Sequence, residues 1–221
     1  MPLVPFVYTF IEYEANDALG QLFALSALAP FFLLSAYVTL LASRRDLHTA
    51  ALLLGQLLNE AVNHALKYAV RVPRSAAAAD AGYHAAFNAL SPYAWPSDHA
   101  QFMAFFAAYV LLWAPRHWHV APVWRALAGG LCALAALVVG VGRVYLHYHS
   151  VLQVASGWAV GALCAAAHFA LVERVLRPRF AGVAAWQLAR WAWVRDLTAT
   201  RNALKVEYEA VSRGSKGVLL F

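Results

Sequence analysis

Charge is scarce in this chain of 221 residues: Asp, Glu, Lys and Arg together make up 13%, and only 11 side chains are acidic. A soluble domain carries about 25% charged residues. Too little charge to cover a water-facing surface, with 62% hydrophobic content, points to an integral membrane protein built as one domain. Cysteine is scarcer still. Cys132 and Cys164 both fall inside apolar runs, which argues against a disulfide and says little about compartment. The opening MPLVPFVYTFIEYEAND has neither a basic leader nor a cleavage-site pattern, so no signal peptide is expected and the first span does the targeting. The long apolar runs lack the strict alternation of barrel strands, which leaves helices. The net charge of +6 would suit nucleic acid, but the cations lie between and after apolar spans, so membrane topology explains them and no nucleic-acid partner is expected.

What is present is a series of apolar segments. Gln21–Ala42 carries no charge, with Pro30 expected to kink it; Leu47–Tyr68, His99–Ala114, Trp124–Gly142 and Ser150–Val172 follow. Each suits a hydrocarbon core of about 30 Å as a helix, and the fourth is rich in small residues that allow close packing. The fold class expected is all-α: a polytopic membrane helix bundle of about five transmembrane helices with a C-terminal interfacial helical tail. The expected divisions are a non-cytosolic leader over 1–20, a membrane-embedded domain over 21–172 and a cytosolic amphipathic tail over 173–221. In the tail, Trp186, Trp191 and Trp193 alternate with Arg190 and Arg195, the composition of a helix lying in the interface. Of the 17 Lys and Arg residues, all but Lys67, Arg71, Arg74 and Arg143 fall on one side of these spans. The positive-inside rule puts that majority side, and the C-terminus, in the cytosol.

Those four cations belong to two of three polar clusters at span ends: Lys67 to Arg74 in KYAVRVPR, Pro96-Ser97-Asp98-His99, which has no Lys or Arg, and Gly142-Arg143 through His149 to Gln153. All three fall on the non-cytosolic side. Ionisable residues beside hydrocarbon are costly and mark function by default, although each has a bland reading as well. Ser97 before a helix is an ordinary N-cap whose hydroxyl can take a backbone N–H, yet a helix start also favours an anion, and His99 faces the same end. Lys67 and Arg143 suit snorkelling residues at the bilayer edge; Pro73 stops the second helix short of Arg74, so that Lys67 and Arg74 can share a pocket. Gln153 lies four residues beyond His149 on one helical face. Its amide oxygen can accept from the ring and set the tautomer that leaves the other nitrogen free.

In order and on one side of the membrane, these clusters resemble the three signature motifs of the type-2 phosphatidic acid phosphatase superfamily. The motifs run K-x6-RP, PSxH and SR-x5-H-x3-D. Within it the chain looks like the dolichyldiphosphatase branch, on LLNEAVNHALK at Leu57–Lys67, WPSDHAQFM at Trp95–Met103, RVYLHYHSVLQV at Arg143–Val154 and the tail from Ala184 to Arg213. The resemblance implies that His149 attacks the terminal phosphorus of a polyisoprenoid diphosphate and His99 protonates the departing lipid monophosphate. Lys67, Arg74, Ser97 and Arg143 would hold the phosphoryl oxygens, with no metal and no cofactor. It also implies an endoplasmic reticulum membrane, a lumenal site and a product that re-enters lipid-linked oligosaccharide synthesis. The chain departs from the superfamily pattern at Ser75 (proline), Gly142 (serine) and Gln153 (aspartate), the last looking like the dolichyl branch.

Other polar residues have supporting readings. Glu60, Asn63 and Lys67 share a face of the second helix, which suggests a buried Glu60–Lys67 network or a pocket wall. Asp98 is a candidate acid at a variable motif position. His147 and His149 form H-x-H, but carboxylate or cysteine partners for a zinc site are missing. His48, His64, His84, His117, His119 and His168 read as structural or solvated. Another lipid phosphatase, a transporter using Glu60, Lys67 and Arg143, and a catalytically dead scaffold remain alternatives, and oligomeric state stays open.

Overall fold

Several of the described helices begin or end on a local signal in the sequence. In the computed structural model, residues 3–6, 11–74, 92–200 and 203–218 are described; Ser75, Ala76–Ala79 and His84 lie outside them. Helix α1 (Ala18–Ser26) gives way at Ala27 and Leu28 to α2 (Ala29–Arg44). Pro30 stands in the first turn of α2, where its missing N–H removes no helical bond, so it opens a second helix instead of kinking one. Helix α3 (Leu47–Val70) starts on Asp46, whose carboxylate accepts from the Thr49 N–H at 3.0 Å, and stops at Arg71 in the left-handed conformation (φ 56°). Helix α4 (Asp98–His117) follows Ser97, and α5 (Pro122–Tyr145) starts on a proline. Helix α6 (Val151–Leu171) starts on a reciprocal cap in which the Ser150 and Gln153 side chains each take the other's backbone N–H.

Beyond Leu171 the chain leaves regular α geometry. A π-helical turn (Val172–Leu176) and a 3-10 turn (Arg177–Arg179) lead into α7 (Phe180–Ala184) and α8 (Gln187–Trp191), and α9 (Ala203–Val218) follows. The tryptophan-bearing stretch is therefore short helical pieces and not one amphipathic helix. Trp186, Trp191 and Trp193 stand exposed, and Arg45 stacks over the Trp193 ring at 5.1 Å. The sequence reading also missed a hairpin at the N-terminus, β1 (Leu3–Phe6) paired antiparallel with β2 (Ile11–Glu14).

Helix α4 is the centre of the bundle. Phe102, Met103 and Ala107 pack on Ala136 and Val139 of α5, while Phe105 and Tyr109 pack on Ala165 and Phe169 of α6. Against α6 the approach is backbone to backbone. A Cβ placed on Gly157 would lie 2.6 Å from the Ser97 carbonyl oxygen, and one on Gly161 would lie 2.3 Å from that of Gln101. Leu131, Leu134, Leu152 and Leu163 point outward, exposed, as lipid-facing residues do. Among the described residues, three stretches are long and apolar enough to cross a membrane by length and composition: Ala18–Arg44, Pro122–Tyr145 and Val151–Ala184. Helices α3 and α4, with 24 and 20 residues, span about 36 and about 30 Å at 1.5 Å per residue. They score as less apolar because they carry the polar interior: Gln56, Asn59, Asn63, Lys67 and Gln101 are all buried.

That interior is a hydrogen-bonded ladder. The Gln101 side-chain amide donates to the Asn59 carbonyl at 2.8 Å and its Oδ1 at 3.0 Å, and Asn63 donates to Gln101 Oε1 at 2.9 Å. Buried away from water, these bonds lock α3 to α4 in one register.

The close α4–α6 approach makes a direct prediction. Gly161→Ala should lower stability by about 1–3 kcal/mol, the cost of forcing a group into a packed contact. Gly130→Ala, where an added Cβ meets nothing within 4 Å, should not. Thermal unfolding of both variants in detergent checks this; equal melting points would contradict the packing.

Candidate active site

The three polar clusters are brought to one end of the bundle by backbone contacts. After α3 stops, Val72 accepts from the Ala94 N–H at 2.8 Å and Pro73 bridges to Tyr93, which ties the ends of α3 and α4 together. The Ser97 N–H donates to the Gln153 carbonyl at 3.0 Å, tying the start of α4 to the start of α6. Between α5 and α6 the chain turns tightly: the N–H groups of Tyr148 and His149 both donate to the Arg143 carbonyl, at 3.0 and 3.1 Å. His147 takes a left-handed conformation in this turn (φ 60°) and stays exposed while His149 is buried. The two rings of H-x-H thus do not face one site.

Within this end, His149 Nδ1 lies 3.0 Å from Gln153 Oε1. That oxygen also accepts from the Ser150 N–H at 3.1 Å, which fixes which way the amide points, so Nδ1 must carry the proton. The free nitrogen, Nε2, is buried and has no hydrogen-bond partner among the described residues. Burial first, then the charge of Arg143, pulls the His149 imidazole down to about 3; Arg74 adds to this, while Asp98 and the Gln153 bond oppose it. At neutral pH His149 is therefore an uncharged, oriented base with its lone pair facing inward.

Around it are cations and unused donors. Arg143 is 6% exposed, its guanidinium lies over the Tyr148 ring at 4.1 Å, and its Nε and Nη1 are buried without a partner among the described residues. Arg74 is near enough for its charge to act on His149. Lys67, 1% exposed, has its Nζ 3.5 Å from Asp98 Oδ2. Ser97 is fully buried and makes no side-chain cap bond, so the expectation of an N-cap hydroxyl gives way to an unpaired Oγ. Buried donors left unpaired are costly, about 1–3 kcal/mol each. Grouped with cations, they describe a cradle for an anion's oxygens. His99 sits at the rim, its Nδ1 3.4 Å from Asp98 Oδ1.

The structure thus gathers Lys67, Ser97, Asp98, His99, Arg143, His149 and Gln153, with Arg74 acting through its charge. It does not pair Glu60 with Lys67. Seven residues apart on a helix means about 10 Å along the axis, and the partner of Lys67 is Asp98, supplied by another helix. Glu60 Oε1 is buried without a partner among the described residues, and Asn63 belongs to the amide ladder. Sequence reasoning overlooked Gln101, Asn59 and Tyr148. Both amides had a signal: Gln101 lies one helical turn from Ser97, and Asn59 one turn before Asn63 on the face that leads to Lys67. Tyr148 had none, because its role rests on the hairpin: its hydroxyl accepts from the Glu12 N–H at 2.9 Å while its ring supports Arg143. Gly142 leaves room for Phe23 of α1, which a Cβ there would meet at 2.9 Å.

A separate cavity of about 750 Å³ lies at the opposite end, lined by His48, Tyr109, Trp113, His117, Glu173 and Arg177 among others. There Glu173 accepts from both His117 and Arg177, so those charged groups satisfy one another and offer no comparable cradle.

Known proteins resemble the chain through this arrangement and beyond it. The PAP2 superfamily profile matches residues 48–177, the stretch from α3 to the 3-10 turn. Dolichyldiphosphatase 1 of Homo sapiens is 38% identical over 92% of this chain and 86% of its own length. Dolichyldiphosphatase of Saccharomyces cerevisiae is 32% identical over 94% and 87%, and lipid phosphate phosphatase gamma of Arabidopsis thaliana 32% over 91% and 88%. No solved structure matches the chain. With a matched profile over more than half its length and relatives alike over nearly all of it, the chain belongs to the PAP2 superfamily of phosphatases.

Proposed function

We propose that this enzyme hydrolyses dolichyl diphosphate to dolichyl monophosphate and inorganic phosphate, with His149 as the nucleophile. The observation that carries the reading is the setting of His149: oriented through Nδ1–H by Gln153, with an Nε2 that has no partner among the described residues and faces a pocket of buried donors. In the first step Nε2 bonds to the terminal phosphorus, the bridging P–O bond breaks, and the lipid monophosphate leaves with a proton from His99. In the second, water attacks the phosphohistidine, with His99 as base, and the P–N bond breaks to release phosphate. Lys67, Arg74, Ser97 and Arg143 bind the phosphoryl oxygens throughout and stabilise the charge that spreads over them. The cations supply this stabilisation, so the scheme needs no metal or cofactor.

The substrate assignment draws on the printed activity of the relatives and on the apolar helices that put the site at the end of a membrane bundle. The relative from Arabidopsis thaliana supports a second reading, a phosphatase for another lipid phosphate. Assay of phosphate release in detergent with EDTA separates them: dolichyl diphosphate should be preferred over phosphatidic acid and sphingoid phosphates, and His149→Ala should lose at least about 10⁴-fold. Gln153→Ala should lose about 10–100-fold in kcat with little change in KM, the worth of a hydrogen bond of about 1.5–3 kcal/mol. A preference for monophosphates would contradict the dolichyl reading, and retained activity in His149→Ala the mechanism.

The charge asymmetry supports a site on the non-cytosolic side, with the leader (1–20) on that side, the membrane domain over 21–172, and the tail (173–221) in the cytosol; the likeness to dolichyldiphosphatases supports the endoplasmic reticulum, where that side is the lumen, and a role in dolichol recycling for N-glycosylation. A glycosylation acceptor inserted at 76–80 should be modified in cells, and one after Arg213 should not; the reverse pattern would overturn this orientation.

A further inference from the structure

The phosphoryl cradle is already engaged by an anion from the protein itself. Asp98 opens α4, and its carboxylate reaches across the pocket: Oδ2 lies 3.5 Å from Lys67 Nζ, while Oδ1 lies 3.4 Å from His99 Nδ1 and 3.8 Å from His149 Nε2. These are the group assigned to the phosphoryl oxygens, the acid assigned to the leaving group and the nucleophile. At 3.8 Å from Nε2 the carboxylate stands beyond hydrogen-bond reach, so the placement is not explained by His149. It is explained by the buried ammonium of Lys67, 1% exposed, for which Asp98 is the ion-pair partner among the described residues. Two carboxylate oxygens have nearly the spacing of two phosphoryl oxygens, and they stand where those oxygens must stand for Nε2 to face phosphorus. The Asp98 side chain is also 38% exposed, whereas Lys67 and His149 are sealed, so it alone of the three has a path out toward solvent.

We propose that Asp98 is a built-in competitor for the phosphoryl position. This rests on the reading of the pocket as the phosphate cradle. In the resting enzyme the carboxylate neutralises Lys67; the lipid diphosphate displaces it toward solvent; after the phosphohistidine is hydrolysed it returns and expels inorganic phosphate. The competition also sets specificity. A lipid diphosphate brings the binding energy of its chain to the displacement, and free phosphate brings none, so the carboxylate discriminates against the product and against soluble phosphates.

The test is competitive inhibition of lipid diphosphate hydrolysis by inorganic phosphate in wild type, Asp98→Asn and Asp98→Ser, each first checked for wild-type elution and melting point. Asparagine keeps the shape and removes the charge; serine carries the same test if asparagine disturbs the fold. The inhibition constant for phosphate should fall tenfold or more in the variants, with KM for the lipid falling and kcat lowered by slower product release. A variant that loses kcat while its phosphate inhibition constant stays unchanged or rises would overturn the proposal and leave Asp98 as a positioning partner of His99. Failure of phosphate to inhibit any of the three proteins, with activity surviving His149→Ala, would overturn the cradle itself.

Discussion

The site depends on the absence of side chains between the starts of α4 and α6. Gly157 and Gly161 let the two backbones meet at the Ser97 and Gln101 carbonyls, and the Ser97 N–H reaches the Gln153 carbonyl across that contact. Gln153 thereby acts twice. Its backbone holds the motif on α4, and its side chain holds the ring of His149 while closing the cap of α6. A shift of one helix against the other by even part of an ångström would move Ser97 and His99 relative to His149 together, which is how a packing contact becomes a condition for chemistry.

Burial then gives these groups their character. Lys67, Arg143, Ser97 and His149 are all nearly sealed from water, so their charges and donors are poorly screened and cost the fold stability. Part of that cost is offset inside the protein, by Tyr148 beneath Arg143 and by Asp98 beside Lys67. The remainder without a partner among the described residues, Ser97 Oγ, Arg143 Nε and Nη1 and His149 Nε2, is a set of donors suited to a ligand with several oxygens and a nucleophile facing it. A diphosphate terminus has that chemistry.

Much of this was legible in the sequence, because its signals are local. The termini of α3 to α6 fall within a few residues of the apolar segments, since Asp46, Ser97, Pro122 and Ser150 mark starts and Pro73 a stop. What was not legible depended on meetings between distant segments. The hairpin reaches Tyr148 through the Glu12 N–H; Lys67 finds Asp98 from another helix where a pattern within α3 suggested Glu60; and Gly142 proves to be space for Phe23. Pro30 was read as a kink because a single apolar run does not reveal that two helices share it.

The account's central claim is that His149 carries the phosphoryl group. Rapid acid-free quenching of the enzyme with terminally labelled lipid diphosphate, followed by peptide mapping, tests it directly. The account predicts label on the peptide holding His149, stable to base, lost in acid, and missing from His149→Ala. Label on another residue, or full turnover with none trapped under conditions where hydrolysis of the intermediate is slowed, would contradict it.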